Sequence, residues 1–232
     1  MKYKLINKAA YFPKREILTI ADIHLGFEEE IIRSGILIPK RQLIEIERDL
    51  EEIFKKVDYK VKKIIILGDL KHSFGSGTKK EKKEIISFLD FLKKKIKSTE
   101  IILVKGNHDN IIERFIDEKI KEYYLEEKTL FIHGDKDSLE KIKEVKEKYE
   151  LIVMGHFHPA IDLTDGEKKE RFKCFIEGEI KNKKILILPS FFNLIEGMNI
   201  LQKGEISLLK IKKRKISIID DEGKVWDISK LK

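Results

Sequence analysis

The chain has 232 residues, 41% of them hydrophobic, with one cysteine and a formal charge of +8 from 49 Lys and Arg against 41 Asp and Glu. The apolar content supports a sizeable core, while the single Cys174 excludes an intramolecular disulfide framework and suits a reducing cytosol. No apolar run approaches the ~20 residues of a membrane span, and Met1-Lys2-Tyr3-Lys4 does not open a signal peptide, so a cytoplasmic protein without a membrane partner is expected. The Lys/Glu-rich, Gln-poor balance resembles thermophile proteins with surface ion-pair networks. Basic runs such as Lys210 to Lys215 fit that account or a phosphate-backbone footprint.

Tyr3 to Asn7 and Glu16 to Ile20 read as an opening pair of strands around Pro13. A Gly26-led loop and a short helix near Glu29 to Arg33 follow. Pro39 starts a long helix in which Leu43, Ile46, Leu50, Ile53 and Val57 form one apolar stripe. Lys63 to Asp69 is a strand with its end motif, followed by a loop holding His72, Gly75 and Gly77. The spacing predicts a helix from Lys79 to Lys97 that buries Ile85, Phe88, Leu89, Leu92 and Ile96. Ile101 to Val104 is a buried strand that breaks at Gly106, and Ile111 to Ile116 is a short helix. Tyr123 to Leu125 and Thr129 to His133 suggest strands, and Ser138 to Tyr149 a helix with a Ser or Asp cap. Beyond His158 the texture changes. Pro159 ends the motif, and strand-like runs follow at Phe172 to Ile176, Lys184 to Leu188, Ser207 to Ile211 and Lys215 to Ile219. Turns at Asp165-Gly166, Lys203-Gly204 and Glu222-Gly223 separate several of them. Residues 160–232 therefore complete a second sheet within one domain spanning 1–232.

Five apolar runs end in Asp, Asn or His. They lead into Asp22 and His24, Asp69, Asn107-His108-Asp109, His133, and His156 with His158. In open α/β sheets, ligand sites form beyond the carboxyl ends of the strands. Five of the six histidines sit in these motifs, which scattered structural histidines would not do. Carboxylate, amide oxygen and imidazole suit divalent cations. Asp22, His24, Asp69, Asn107, His133, His156 and His158 are too many ligands for one tetrahedral ion and suit two, with Asp69 as the natural bridge. His156 and His158 share a face on an extended chain, whereas a tight turn aims them at neighbouring ions. Two divalent ions outweigh the charge of Asp22 and Asp69, leaving the site positive for an anionic substrate and able to generate hydroxide near neutral pH. His72 is an ordinary loop residue or a substrate contact.

With these residues in hand, the chain resembles the calcineurin-like metallophosphoesterases, whose pattern reads Asp-x-His, Gly-Asp, Gly-Asn-His-Asp/Glu, His, Gly-His-x-His. All five blocks stand in order between residues 22 and 158. The resemblance implies a four-layer α-β-β-α sandwich of two mixed sheets flanked by helices. It implies that Asp22, His24, Asp69 and His158 hold one ion, and that Asp69, Asn107, His133 and His156 hold the other. It makes His108 the proton donor or transition-state stabiliser, and Asp109 the group that orients it through a hydrogen bond to one ring nitrogen. Asp22 to Glu28, with Gly35, Pro39 and Gly68 to His72, is similar to the archaeal branch related to SbcD-type nuclease subunits and DNA ligase-associated phosphoesterases.

The expected function is metal-dependent phosphodiester hydrolysis, with manganese as the metal and zinc, iron, nickel or cobalt as alternatives. DNA, RNA or a nucleotide is the expected substrate. No Arg lies in the five blocks to grip the terminal oxygens of a monoester. The alternatives are a phosphomonoesterase, such as a phosphoprotein phosphatase, and a non-catalytic scaffold.

Overall fold

Alternation along the central strands decides how the layers stack. In the run Lys63–Leu67, Ile64 and Ile66 pack with one buried cluster, while Ile65 and Leu67 pack with another. Such a run is buried on both faces, as in a sheet covered on both sides. The computed structural model describes residues 2–96, 100–202, 204, 206 and 209–229.

The first sheet has six strands in chain order: β1 (Lys4–Ile6), β2 (Ala9–Phe12), β3 (Ile17–Ile20), β4 (Lys63–Leu67), β5 (Glu100–Val104) and β6 (Ile120–Lys121). Strands β3 to β6 are parallel, β2 adds antiparallel to β3, and β1 adds antiparallel to β2 at the edge. Helices α1 (Phe27–Arg33) and α2 (Gln42–Lys56) connect β3 to β4, and α3 (Lys79–Lys95) connects β4 to β5. The second sheet has nine strands: β7 (Tyr124–Glu126), β8 (Thr129–Ile132), β9 (Leu151–Met154), β10 (Pro159–Asp165), β11 (Lys168–Ile180), β12 (Lys183–Ile187), β13 (Met198–Asn199), β14 (Lys212–Ile219) and β15 (Val225–Asp227). Its order is β13-β10-β11-β12-β9-β8-β7, with β14 beside β11 and β15 beside β14. The pairs β12/β9, β9/β8 and β10/β13 are parallel and the others antiparallel, so both sheets are mixed. A short helix, α4 (Lys136–Lys141), follows β8.

Three apolar clusters separate four layers. Leu50, Ile53, Phe54, Phe88 and Leu92 of α2 and α3 cover one face of the first sheet. Ile65, Leu67 and Ile102 meet Phe131, Val153, Phe175 and Leu186 between the sheets. Leu139 of α4, with Ile142, covers the far face of the second sheet, over Ile132, Ile152 and Ile185. This is the α/β sandwich of two mixed sheets and helices that the family resemblance implies. Among the described residues, no helix is long and apolar enough to cross a membrane.

Several local expectations change. Tyr3 to Asn7 pairs with Ala9–Phe12, not with Glu16 to Ile20, because the chain reverses at Asn7, whose φ is 49°. The helix after Pro39 starts only at Gln42, where Glu28 Oε1 accepts the N–H groups of Arg41 and Gln42 at 2.9 Å each. A carboxylate from α1 thus caps α2. The segment from Ile111 keeps only a 3₁₀ turn, Ile112–Arg114. The helix expected over Ser138 to Tyr149 stops at Lys141 with a 3₁₀ turn behind it, capped by Asp135, whose Oδ1 accepts Ser138 N–H at 3.2 Å. Pro159 opens β10 instead of ending the motif, a position that needs no ladder donor. The run from Ser207 has its first two residues outside the described set, and Leu209 to Ile211 is not strand. Lys97 and Lys203 also lie outside it.

Candidate metal centre

Register brings the motifs together. Ile20 pairs with Ile66, Leu67 with Val104, and Ile132 with Met154, so the carboxyl ends of β3, β4, β5, β8 and β9 open on one side of the molecule. Past the strand ends the pairing continues: Asp22 N donates to Gly68 O, His24 N to Asp69 O and Leu25 N to Leu70 O, at 2.8–3.2 Å. Here the backbone turns left-handed. Asp22, His24, Asp69, His156 and His158 have φ of 54°, 51°, 52°, 68° and 40°. Non-glycine residues in that region cost about 1–3 kcal/mol each, and such strain gathers at functional sites. The turns aim alternate side chains at one point.

Glycines make room for them. A Cβ on Gly106 would overlap Asp69 Oδ1, one on Gly68 would overlap the His133 ring, and one on Gly155 would lie 2.7 Å from Asp22 Oδ2.

Three groups of donor atoms result among the described residues, and two of them share Asp69. Asp22, His24, Asp69 and His158 form one of these two, and Asp69, His133 and His156 the other, with donor atoms within 4.8 Å of each other in each group. In the first, His24 Nε2 lies 3.3 Å from His158 Nε2 and 3.7 Å from Asp69 Oδ2, and His158 Nε2 lies 3.5 Å from Asp22 Oδ1. In the second, His133 Nε2 lies 3.4 Å from Asp69 Oδ2, 3.1 Å from His156 Nδ1 and 3.1 Å from Asn107 Oδ1. His156 and His158 are thus directed into different groups, as a tight turn allows.

The electrostatics ask for a cation. Asp22 and Asp69 are buried, and among the described residues neither pairs with a Lys or Arg. A buried carboxylate without a cation is costly. Burial raises both acids, but His158 and His133 outweigh it at Asp22, and His133 and His24 at Asp69, so both end lowered. Burial opposes charge on His133, yet Asp69 and Asp22 lift its pKa to about 10, whereas burial drives His24 down to about 3. The two carboxylates thus favour a positive charge between them. This oxygen and nitrogen donor set fits a divalent metal ion, which would take over that charge and leave the rings as neutral ligands.

His108 and Asp109 occupy the loop after β5. His108 N donates to Asp69 Oδ1 at 3.0 Å, and its ring Nδ1 contacts the carbonyl oxygen of His72. The expected bond between Asp109 and the His108 ring is replaced. The Asp109 carboxyl turns inward and accepts the N–H groups of Gly106 at 3.0 Å, on its own turn, and of Lys71 at 3.2 Å, on the loop after β4, satisfying two buried backbone donors. Burial, then the nearby Asp69, push its pKa to about 7. His72 sits beside both rings, 5.3 Å from His24 and 5.4 Å from His108 between centroids.

Three supporting residues escaped the sequence reading. Lys71 is fully buried and its amino group bonds the carbonyl oxygens of Ser73 and His108. Glu81, at 2% exposure, accepts the N–H groups of His72 and Ser73 at 3.0 and 2.9 Å. Gln42 donates to the carbonyl oxygens of Ile23 and His24 at 3.1 and 2.7 Å. Only Glu81 carried a signal: Thr78-x-x-Glu81 has the spacing of a capping box, although the carboxylate serves the neighbouring loop.

A family model described as calcineurin-like phosphoesterase matches residues 16–179. Among solved structures, the nuclease MPE of Pseudomonas putida is 20% identical, with 97% of this chain and 100% of that one covered and a TM-score of 0.63. The phosphoesterase Yfce of E. coli is 16% identical over 90% and 95% of the two chains, with a TM-score of 0.41. A structure described as a novel archaeal phosphodiesterase is 16% identical over 91% and 98%, with a TM-score of 0.42. No curated protein sequence matches.

Proposed function

The chain belongs to the calcineurin-like phosphoesterase family, and we propose that it hydrolyses phosphodiester bonds in nucleic acids or nucleotides with two divalent ions, manganese foremost. The observation that carries two ions is the pair of donor groups meeting at Asp69. Asp22, His24, Asp69 and His158 would hold one ion, and Asp69, Asn107, His133 and His156 the other. Bound there, such ions polarise the phosphoryl group and supply a nucleophile from water near neutral pH.

The remaining chemistry falls to His108. A carbonyl oxygen only accepts, so the His72 contact keeps a hydrogen on His108 Nδ1. The exchangeable proton is then the one on Nε2, available to a departing alkoxide. Asp109 and Lys71 act behind it: the carboxyl ties the turn at Gly106 to the Lys71 backbone, and the Lys71 amino group holds the carbonyl oxygen of His108.

The surroundings favour a diester. One cleft of about 650 Å³, lined by Asn107 and His156 with Lys136 and Lys143 set among Asp135, Asp137 and Glu140, and another of about 630 Å³, lined by His158, Leu194 and Met198, meet at His156 and Phe157. A phosphate with two ester arms has a place for each. The likeness to the SbcD-related branch in Asp22 to Glu28 and Gly68 to His72 points the same way, toward nucleic acid. A metal-reconstituted assay comparing matched mono- and diesters with single- and double-stranded DNA tests this. A higher kcat/KM for the diester is expected, and a higher value for the monoester would replace this reading with a phosphatase.

A further inference from the structure

We infer that Glu30 and His72 form a hydrogen-bonded relay that fixes the ring of His24, Nδ1–H of His24 donating to His72 and Nε2–H of His72 donating to Glu30. The inference rests on the reading of His24 as a metal ligand. The Nε2 atom of His24 faces Asp69 and His158, so Nε2 is the atom it offers an ion. A neutral ring that ligates through Nε2 carries its hydrogen on Nδ1. His24 is 2% exposed, so that hydrogen needs a partner inside the protein. Among the described residues, the atom facing it is His72 Nδ1, at 3.4 Å.

His72 Nδ1 accepts only if the hydrogen of that ring sits on Nε2. That atom lies 3.2 Å from Glu30 Oε2, a carboxylate that can only accept. Each end of the chain therefore sets the tautomer of the middle. The middle ring is itself well seated. His72 N donates to Leu25 O at 2.9 Å and to Glu81 Oε1 at 3.0 Å, and the ring stands edge-on to Phe27 at 4.7 Å. Carboxylate and imidazole partners behind a ligating histidine orient it and raise its basicity. Glu30 and His72 are positioning residues here.

Zinc, being diamagnetic, allows the test. In the ¹⁵N-labelled, zinc-loaded protein, ring nitrogen shifts should show His24 protonated on Nδ1 and His72 on Nε2. Calorimetric titration of the metal-free protein should show one zinc weakened about 10–100-fold in Glu30→Ala and in His72→Leu. His72→Gln, whose amide oxygen can accept from His24, should regain most of the loss. The double variant Glu30→Ala/His72→Leu should bind no worse than His72→Leu, because both interrupt one chain. Matching melting temperatures of the metal-free variants exclude unfolding, and the wild-type spectrum decides the matter if a variant does not fold. A hydrogen on His72 Nδ1, or unchanged zinc affinity in His72→Leu, overturns the relay. So does a third zinc lost with His72, since His24, His72 and His108 themselves offer donor atoms within 4.8 Å of one another. If His24→Ala keeps full zinc affinity, the ligand assignment fails first and the relay falls with it.

Discussion

On the proposed assignment, His108 separates binding from chemistry at the scale of one residue. Its backbone N–H holds Asp69 at 3.0 Å while its ring is anchored on His72. Replacing the ring leaves the backbone bond intact. His108→Ala should therefore keep its metal by elemental analysis and lose about 10²–10⁴-fold in kcat on nucleotide esters, the usual worth of general acid catalysis. The deficit should shrink on nitrophenyl esters, whose leaving group needs no proton. An equal deficit on both would assign His108 to stabilising phosphoryl charge instead. Asp69→Ala is the complementary change. It removes the carboxylate common to both donor groups, so most activity and at least one ion should go. Full retention of two ions would refute the bridge.

Between elements, the site depends on how closely β4 and β5 approach just past their ends. Gly106→Ala would push a methyl group into the carboxylate and backbone nitrogen of Asp69. We expect about 1–3 kcal/mol of lost stability, the usual cost of overpacking, with weaker metal binding, read by denaturant titration and calorimetry; unchanged metal affinity would show that the turn has slack. The β-branched runs and the Gly, Asp and His that end them were plain in the sequence because strand burial and turn chemistry both leave local marks. The stripes of α2 and α3 were equally plain, and Ile46, Leu50, Ile53, Ile85, Phe88 and Leu92 are all buried. Residues that hold the loops left no such mark. Lys71 is one basic residue among 49, and nothing local tells that its amino group is turned inward onto Ser73 and His108. Strand β2 was missed because Ala9-Ala10 has weak strand propensity, and its place depends on burial between the layers. The partner of Asp109 was misjudged because adjacency on a loop does not fix which way a side chain turns.

At the scale of the molecule, the cluster between the sheets takes residues from β2 to β5 on one side and from β8, β9, β11 and β12 on the other. We propose that the chain is one folding unit. The single tryptophan, Trp226, lies on β15 at the far edge of the second sheet, its indole N–H donating to Asp220 at 2.7 Å. It reports on the C-terminal strands alone, whereas far-UV dichroism reports on the whole. In urea the two signals should trace one coincident transition. An earlier tryptophan transition would divide the molecule near residue 160.

The proposed ligands come from both sheets: Asp22, His24, Asp69 and Asn107 from one, His133, His156 and His158 from the other. Neither half forms the centre until the sheets have closed on each other, which sets the timing of metal capture. On the proposed ligand assignment, capture follows collapse instead of nucleating it. Manganese in the buffer should then leave the refolding rate nearly unchanged and slow unfolding, as contacts absent from the transition state do. Stopped-flow refolding accelerated by the metal would instead place the joining of the sheets, with metal bound, before the rate-limiting step.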